Sequence, residues 1–154
     1  MADEITLRAY LRNAQVLHEL IEIDGSTRTA REAAAALGAP LCAIVKSLVC
    51  LSDGRPVVAL VPGDQSLSLT KLSRELDSHT VTLAAGRIVR KATGYPVGGV
   101  APLAHARQVP VYGDARILEH DQVYCGAGSV RHMLRIGTAD LSHLAAVTWT
   151  DLSL

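Results

Sequence analysis

The chain has 154 residues and a mass of 16.3 kDa, enough for one compact domain (1–154) and too short for two of average size. Hydrophobic residues make up 49% and aromatics only 3%, with no Phe, so Val, Leu, Ile and Ala must build the core and extensive ring stacking is excluded. The 15 basic and 15 acidic residues cancel, which excludes the strong positive field of a protein that wraps long DNA or RNA but leaves contact with a short nucleic-acid end open.

Leu7, Tyr10, Leu11, Ala14, Leu17, His18 and Ile21 recur at three- and four-residue steps and predict one amphipathic first helix. After the turn Asp24-Gly25-Ser26, Thr29 and Glu32 have capping-box spacing, Ala30, Ala33, Ala34 and Leu37 form a small apolar stripe, and Gly38 then Pro40 end a second helix. The apolar run Leu41 to Leu51, the turn Ser52-Asp53-Gly54-Arg55 and the run Pro56 to Val61 predict a hairpin. Near-continuous apolarity in both strands implies cover on two faces. A short helix within Thr70 to Asp77, a strand at Thr80 to Leu83 and a helix around Ile88 and Val89 follow. Strands at Gln108 to Tyr112, Gln122 to Cys125 and His132 to Ile136, a brief helix near Ala139 to His143 and a last strand near Val147 complete the chain. Interspersed strands and short helices predict a mixed α/β sheet or partly closed barrel rather than a regular βαβ array.

The longest stretch without Asp, Glu, Lys or Arg, Ala92 to Ala106, carries three Gly and two Pro and is shorter than the roughly 20 apolar residues of a membrane span. Met1-Ala2-Asp3-Glu4 is acidic where a signal peptide is basic, so the expected location is cytoplasmic. Cys42, Cys50 and Cys125 are odd in number and lack CxxC spacing, which points to reduced packing residues. His18, His79, His105, His120, His132 and His143 show no metal-ligand pairing, so no metal is expected.

Two features stand out. Lys46 interrupts Ile44-Val45-Lys46-Ser47-Leu48-Val49, where an unpaired buried ammonium would cost several kcal/mol. It reads either as an edge lysine whose head snorkels to water or as a cation at a cleft that holds a phosphate or polarises an ester carbonyl. Three glycines and two prolines between Gly94 and Pro102 leave a backbone that a ligand can approach closely, or else form a plain rigid connection. Neither GxxxxGK[ST] nor GxGxxG is present. Gly126-Ala127-Gly128-Ser129 reads as a hairpin turn or a weaker candidate site, and Asp114 and Asp121 as turn or cap acids.

Ala33 to Gly38, the Lys46 strand, Val61-Pro62-Gly63-Asp64 and Thr93-Gly94-Tyr95-Pro96-Val97-Gly98-Gly99-Val100-Ala101-Pro102 together resemble the YbaK/ProX family, free-standing aminoacyl-tRNA deacylases related to the editing domain of bacterial prolyl-tRNA synthetases. The resemblance spans about Thr27 to Leu141. It implies a mixed, bent, partly closed sheet surrounded by short helices, and hydrolysis of the ester between a wrong amino acid and the terminal adenosine of tRNA, without a cofactor. Carried over, Lys46 binds the phosphate or ribose side and backbone groups at Gly98 and Gly99 position the aminoacyl ester, with the substrate's own ribose hydroxyl, or the thiol of cysteine, assisting. Gly94, Gly99, Val100, Ala101, Pro102, Gly128 and Ser129 are the further substrate-binding candidates. Ala101 and Leu103 depart from the Ser and Phe common in relatives, which bears on side-chain preference. A second, smaller sieve is useful because a synthetase pocket separates side chains differing by one methylene by only about 1–3 kcal/mol. The implied substrates are Ala-tRNA(Pro) and Cys-tRNA(Pro), and the implied partners are an aminoacyl-tRNA acceptor end and, as a candidate, prolyl-tRNA synthetase, with neither DNA nor membrane. End-only recognition predicts a salt slope shallower than about −3. The competing readings are a non-catalytic module that binds an amino acid, a tRNA end or a synthetase, and a small-ester or nucleotide hydrolase that has drifted from tRNA.

Overall fold

Helix α1 (Glu4–Ala14) begins where the Asp3 carboxylate caps the amides of Ile5 and Thr6, in a computed structural model that describes residues 2–154. It buries Leu7 and Leu11 completely. The predicted continuation to Ile21 is corrected: Gln15 adopts a left-handed conformation (φ 58°) that stops the helix, and strand β1 (His18–Glu22) follows. The apolar spacing misleads here because Leu20 and Ile21 serve a strand paired antiparallel to β7 (His132–Gly137), while Leu17 is 91% exposed.

Helix α2 (Ala30–Leu37) runs from its Thr29 cap to left-handed Gly38, as the sequence predicts. A short 3-10 turn, Leu41–Ala43, leads into β2 (Ile44–Ser52), and Asp53 and Gly54, both at positive φ, turn it back into β3 (Arg55–Pro62). Val58 and Leu60 enter the main core while Val57, Ala59 and Val61 enter a second one beneath α3 (Leu69–Leu76), so β3 is covered on both faces. Next come β4 (Val81–Leu83), α4 (Gly86–Thr93), β5 (Val111–Asp114), β6 (Gln122–Gly126), β7, α5 (Thr138–Leu144) and β8 (Thr148–Thr150). Strand β5 starts three residues later than predicted because Pro110 offers no ladder donor.

The strand order is β1-β7-β6-β2-β3-β5-β8, with β4 on β2 as a branch. This is the mixed α/β architecture expected. Strand β2 is therefore interior in the strand order, although at Lys46 itself it has a neighbour on one side only: β3 lines that side from Val45 to Ser52. The opposite side is shared. Strand β6 pairs parallel at Ile44 and Val45, and β4 pairs antiparallel only from Cys50 to Ser52. The sheet forks between them, leaving residues 46–49 without a strand on that side. The Val49 carbonyl is met by the Ala84 amide (3.0 Å), and the ladder's alternation turns the Ser47 peptide groups into the gap. A central strand with one missing neighbour is the feature that makes room for a site.

Candidate functional site

A cavity of about 900 Å³ opens at this fork. Residues Ile44 to Val49 form its floor; Leu83, Gly86 and Val89 come from the β4–α4 side, and Val97, Gly98 and Val100 from the glycine loop. The two sequence anomalies, Lys46 and Gly98, thus meet around one space although 52 positions apart.

Lys46 is half-buried and its Nζ donates to the Gln65 carbonyl oxygen in the loop after β3. Burial lowers its pKa from the ordinary lysine value, and the nearby Asp64 carboxylate partly opposes that shift. The bound carbonyl and the acid answer the desolvation problem posed by an ammonium in an apolar strand. Beside it, the buried Ser47 Oγ has no hydrogen-bond partner among the described residues.

The glycine loop is set by its neighbours. Tyr95 is fully buried, and its hydroxyl donates toward the carbonyls of Leu103 (2.9 Å) and Ala104 (3.1 Å), cinching the two ends of the loop together. Gly98 has φ +85°, a left-handed conformation that disfavours a side chain, and Gly99 packs so closely that an added Cβ would lie 2.8 Å from the Ser129 amide nitrogen. The Gly128 amide donates to the Gly99 carbonyl at 2.8 Å. On the far side, Thr27 binds the Val130 carbonyl through its amide (2.6 Å) and its hydroxyl (2.8 Å). Three loops, 26–29, 97–100 and 127–130, therefore form one stacked wall.

Of the residues singled out from the sequence as candidates, Lys46, Gly98, Val100 and Gly126 line the cavity. Gly99, Gly128 and Ser129 stand behind it. Gly128 presses on the start of α1, and Ser129 Oγ lies 2.6 Å from His132 Nδ1. Gly94 caps α4 against Ala2 and Ala106, and Ala101 is fully buried, its carbonyl 2.8 Å from His105 Nε2. Pro102 borders a second cavity of about 710 Å³ on the other side of the loop. Asp114, the predicted cap acid, is fully buried and holds Arg116, the Leu152 amide and Ser153, far from the fork in chain connectivity and role. The sequence reading missed Arg28 and Arg31, which line the cavity and whose only local signal was cationic residues around a helix cap.

Burial holds the His105 ring below the ordinary histidine pKa, with the Ala101 carbonyl opposing, and packs it edge-on to Tyr95. Among the described residues, no group of three or more His, Cys, Asp or Glu side chains converges, and no helix is long and apolar enough to cross a membrane.

The family model described as an aminoacyl-tRNA editing domain matches residues 24–144. The chain is similar to a proline–tRNA ligase of Desulfovibrio desulfuricans, 38% identical over 122 residues, and to that of Solidesulfovibrio magneticus, 36% identical over 127 residues. These alignments cover 79% and 80% of this chain but only 21% of each ligase, so the chain spans about a fifth of the length of these relatives. A crystal structure described as a candidate trans-editing enzyme for prolyl tRNA synthetase superposes with a TM-score of 0.90 at 31% identity, covering 98% of this chain and 96% of that one.

Proposed function

Since the chain belongs to the aminoacyl-tRNA editing domain family, we propose that it is an aminoacyl-tRNA deacylase that acts in trans on mischarged tRNA(Pro), clearing alanine first and cysteine next. Water adds across the ester, releasing the free amino acid and restoring the terminal ribose hydroxyl. Lys46 supplies a fixed positive charge beside the phosphate or ribose of the acylated end. Backbone groups at Gly98, and at Ser47 on the open side of β2, position the ester. The substrate's neighbouring ribose hydroxyl assists attack, and among the described residues no hydrogen-bonded nucleophile–base pair lines the cavity. A cavity walled by Val45, Val49 and Val100 suits a small side chain.

The observation that carries this reading is that Lys46 and Gly98, the two residues transferred from the resemblance, border the same cavity. Its test is deacylation of a panel of labelled aminoacyl-tRNAs by the parent and by Lys46→Ala. Faster release of alanine than of proline by the parent, lost in the variant, supports it. Tight binding of aminoacyl-tRNA without turnover overturns it in favour of a recognition module. Turnover of free amino-acid esters with no gain from the tRNA body points instead to a small-ester hydrolase.

A further inference from the structure

The back of the glycine loop carries a group that the deacylase reading does not use. The Gly99 amide donates to the Pro96 carbonyl (3.0 Å) and the Ala106 amide to the Thr93 carbonyl (2.8 Å), but among the described residues no main-chain hydrogen bond holds positions 100–105. Two side chains do that instead. Tyr95 Oη serves the carbonyls of Leu103 and Ala104 at the far end, and His105 Nε2 lies 2.8 Å from the Ala101 carbonyl at the end nearest Gly98. Ala101 is fully buried, and a buried carbonyl needs a donor. Because Ala101 precedes Pro102 it is confined to extended conformations, which keeps its carbonyl out of a local helical turn. Ala104 takes φ 58°, a left-handed conformation that an alanine side chain disfavours, within the reversal that brings His105 back to Ala101. A carbonyl only accepts, so Nε2 carries the ring proton. Burial lowers the His105 pKa and the Ala101 bond opposes that shift, so the ring is neutral near neutral pH and donates through Nε2 alone.

These contacts set the half-buried His105 ring between the two cavities. It borders the second cavity directly, and through Ala101 it meets the loop whose Gly98 and Val100 line the first. Packing alone would need the ring and not its N–H, and the ring already has a packing partner in Tyr95, edge-on at 6.0 Å between centroids. The hydrogen bond is a separate feature, and the atom it fixes belongs to the residue next to Val100. We propose that His105 is a positioning residue of the glycine loop: acting from outside the reaction cavity, its Nε2–H holds the Ala101 carbonyl and thereby fixes Gly98 and Val100 at the cavity wall. The proposal rests on the deacylase reading for the reaction it serves, and it assigns the set of the wall to a donor behind it rather than to main-chain pairing. His105 touches no substrate; its effect passes through one carbonyl.

Three variants separate the donor from the ring. His105→Phe keeps an aromatic edge against Tyr95 and removes the N–H, His105→Gln returns an N–H near the Nε2 position, and His105→Asn is polar but one methylene too short to reach. Single-turnover deacylation of Ala-tRNA(Pro) and Pro-tRNA(Pro) should show the Phe and Asn variants slowed on alanine on the order of ten- to a hundredfold, the scale of a small misplacement at a reaction centre, with KM unchanged. Their preference for alanine over proline should narrow, because a loosened wall no longer limits side-chain size, and the Gln variant should recover both rate and preference. A merely structural role would lower both substrates alike. Amide hydrogen exchange at Gly99 and Gly128, which donate to Pro96 and Gly99 within the wall, needs no substrate and should quicken in the Phe and Asn variants while staying parental in Gln. Should the Phe variant fail to fold, the contrast between Gln and Asn decides. Parental rates in the donor-less variants, equal loss on both substrates, unchanged exchange, or no recovery by Gln overturns the proposal. Failure of the deacylase reading shows separately, as absence of turnover by a parent whose Gly99 and Gly128 exchange still depends on the donor.

Discussion

The Lys46 ammonium donates to the Gln65 carbonyl across the β2–β3 ladder, so the charge at the fork is anchored from the loop that also carries Asp64. The amine is therefore a positioned group rather than a free surface lysine, and its removal should be felt in rate more than in stability. If its charge stabilises the developing oxyanion or the adjacent phosphate, Lys46→Ala should lower kcat/KM on the order of 10²–10³-fold, the scale for losing one oxyanion-hole donor. Single-turnover deacylation measures this, and a loss below threefold would remove Lys46 from the reaction.

The same anchor predicts a pH dependence. Burial depresses the Lys46 pKa and Asp64 counteracts the depression. On the proposed role the protonated amine is the active form, so the enzyme-dependent rate should fall as pH rises through a value below that of free lysine. Asp64→Asn removes the opposing charge and should move that alkaline limb toward neutrality. The check is the pH profile of kcat/KM after subtraction of spontaneous ester hydrolysis; a limb that stays in place would dissociate Asp64 from Lys46.

Gly98 and Gly99 should fail for different reasons when substituted. An alanine at Gly98 is strained by its φ of +85° and meets Val130 at 3.2 Å, while one at Gly99 collides with backbone atoms of Gly128 and Ser129 at 3.0 Å or less. Overpacking against backbone costs about 1–3 kcal/mol. Gly99→Ala should also part the stacked loops, lowering both the unfolding midpoint and the deacylation rate. Chemical denaturation and kinetics on both variants test this, and a Gly99→Ala protein of parental stability would contradict the close approach.

Asp114 should be a stability residue without a share in turnover. Its buried carboxylate accepts from the Arg116 and Leu152 amides (2.9 Å each) and from Ser153 Oγ (2.8 Å), tying the C-terminal segment to β5. Burial alone would raise its pKa, yet these hydrogen bonds and the Arg116 charge hold it below the ordinary aspartate value. A depressed carboxyl contributes stability above the unfolded-state pKa and loses it as pH falls through the lower folded value. Asp114→Asn should therefore lose about 2–3 kcal/mol at neutral pH, and the parent and variant curves should converge below about pH 4. Thermal unfolding against pH reads this directly; parallel curves would refute it.

The three thiols should separate by reactivity. Burial raises Cys50 to about 11 and Cys125 to about 12, whereas Cys42 is only half-buried. An alkylating reagent at pH 8 should label Cys42 first and the other two only on unfolding, because the thiolate is the reactive form. Mass spectrometry of a labelling time course gives the order, and prompt labelling of Cys125 would contradict its burial.

Local chemistry made much of this protein readable before folding was considered. Thr29 and Gly38 bound α2 because a capping hydroxyl and a left-handed glycine act within one turn of the chain, and Asp53-Gly54 sets the β2–β3 hairpin for the same reason. The continuous apolar run of β3 announced cover on both faces. Lys46 and the glycine loop were conspicuous because each breaks a local rule. What no window of sequence contains is the fork: β6 stops pairing with β2 after Val45 and β4 begins only at Cys50, and those partners lie roughly 30 to 80 residues away. That choice, made by long-range ladder pairing, places Lys46 in an interior strand, gathers Arg28, Leu83 and Val97 at the same opening, and leaves Gly94, Ala101 and Pro102 outside it. The first helix was overextended for the mirror-image reason, since only the distant strand β7 makes His18–Glu22 extended.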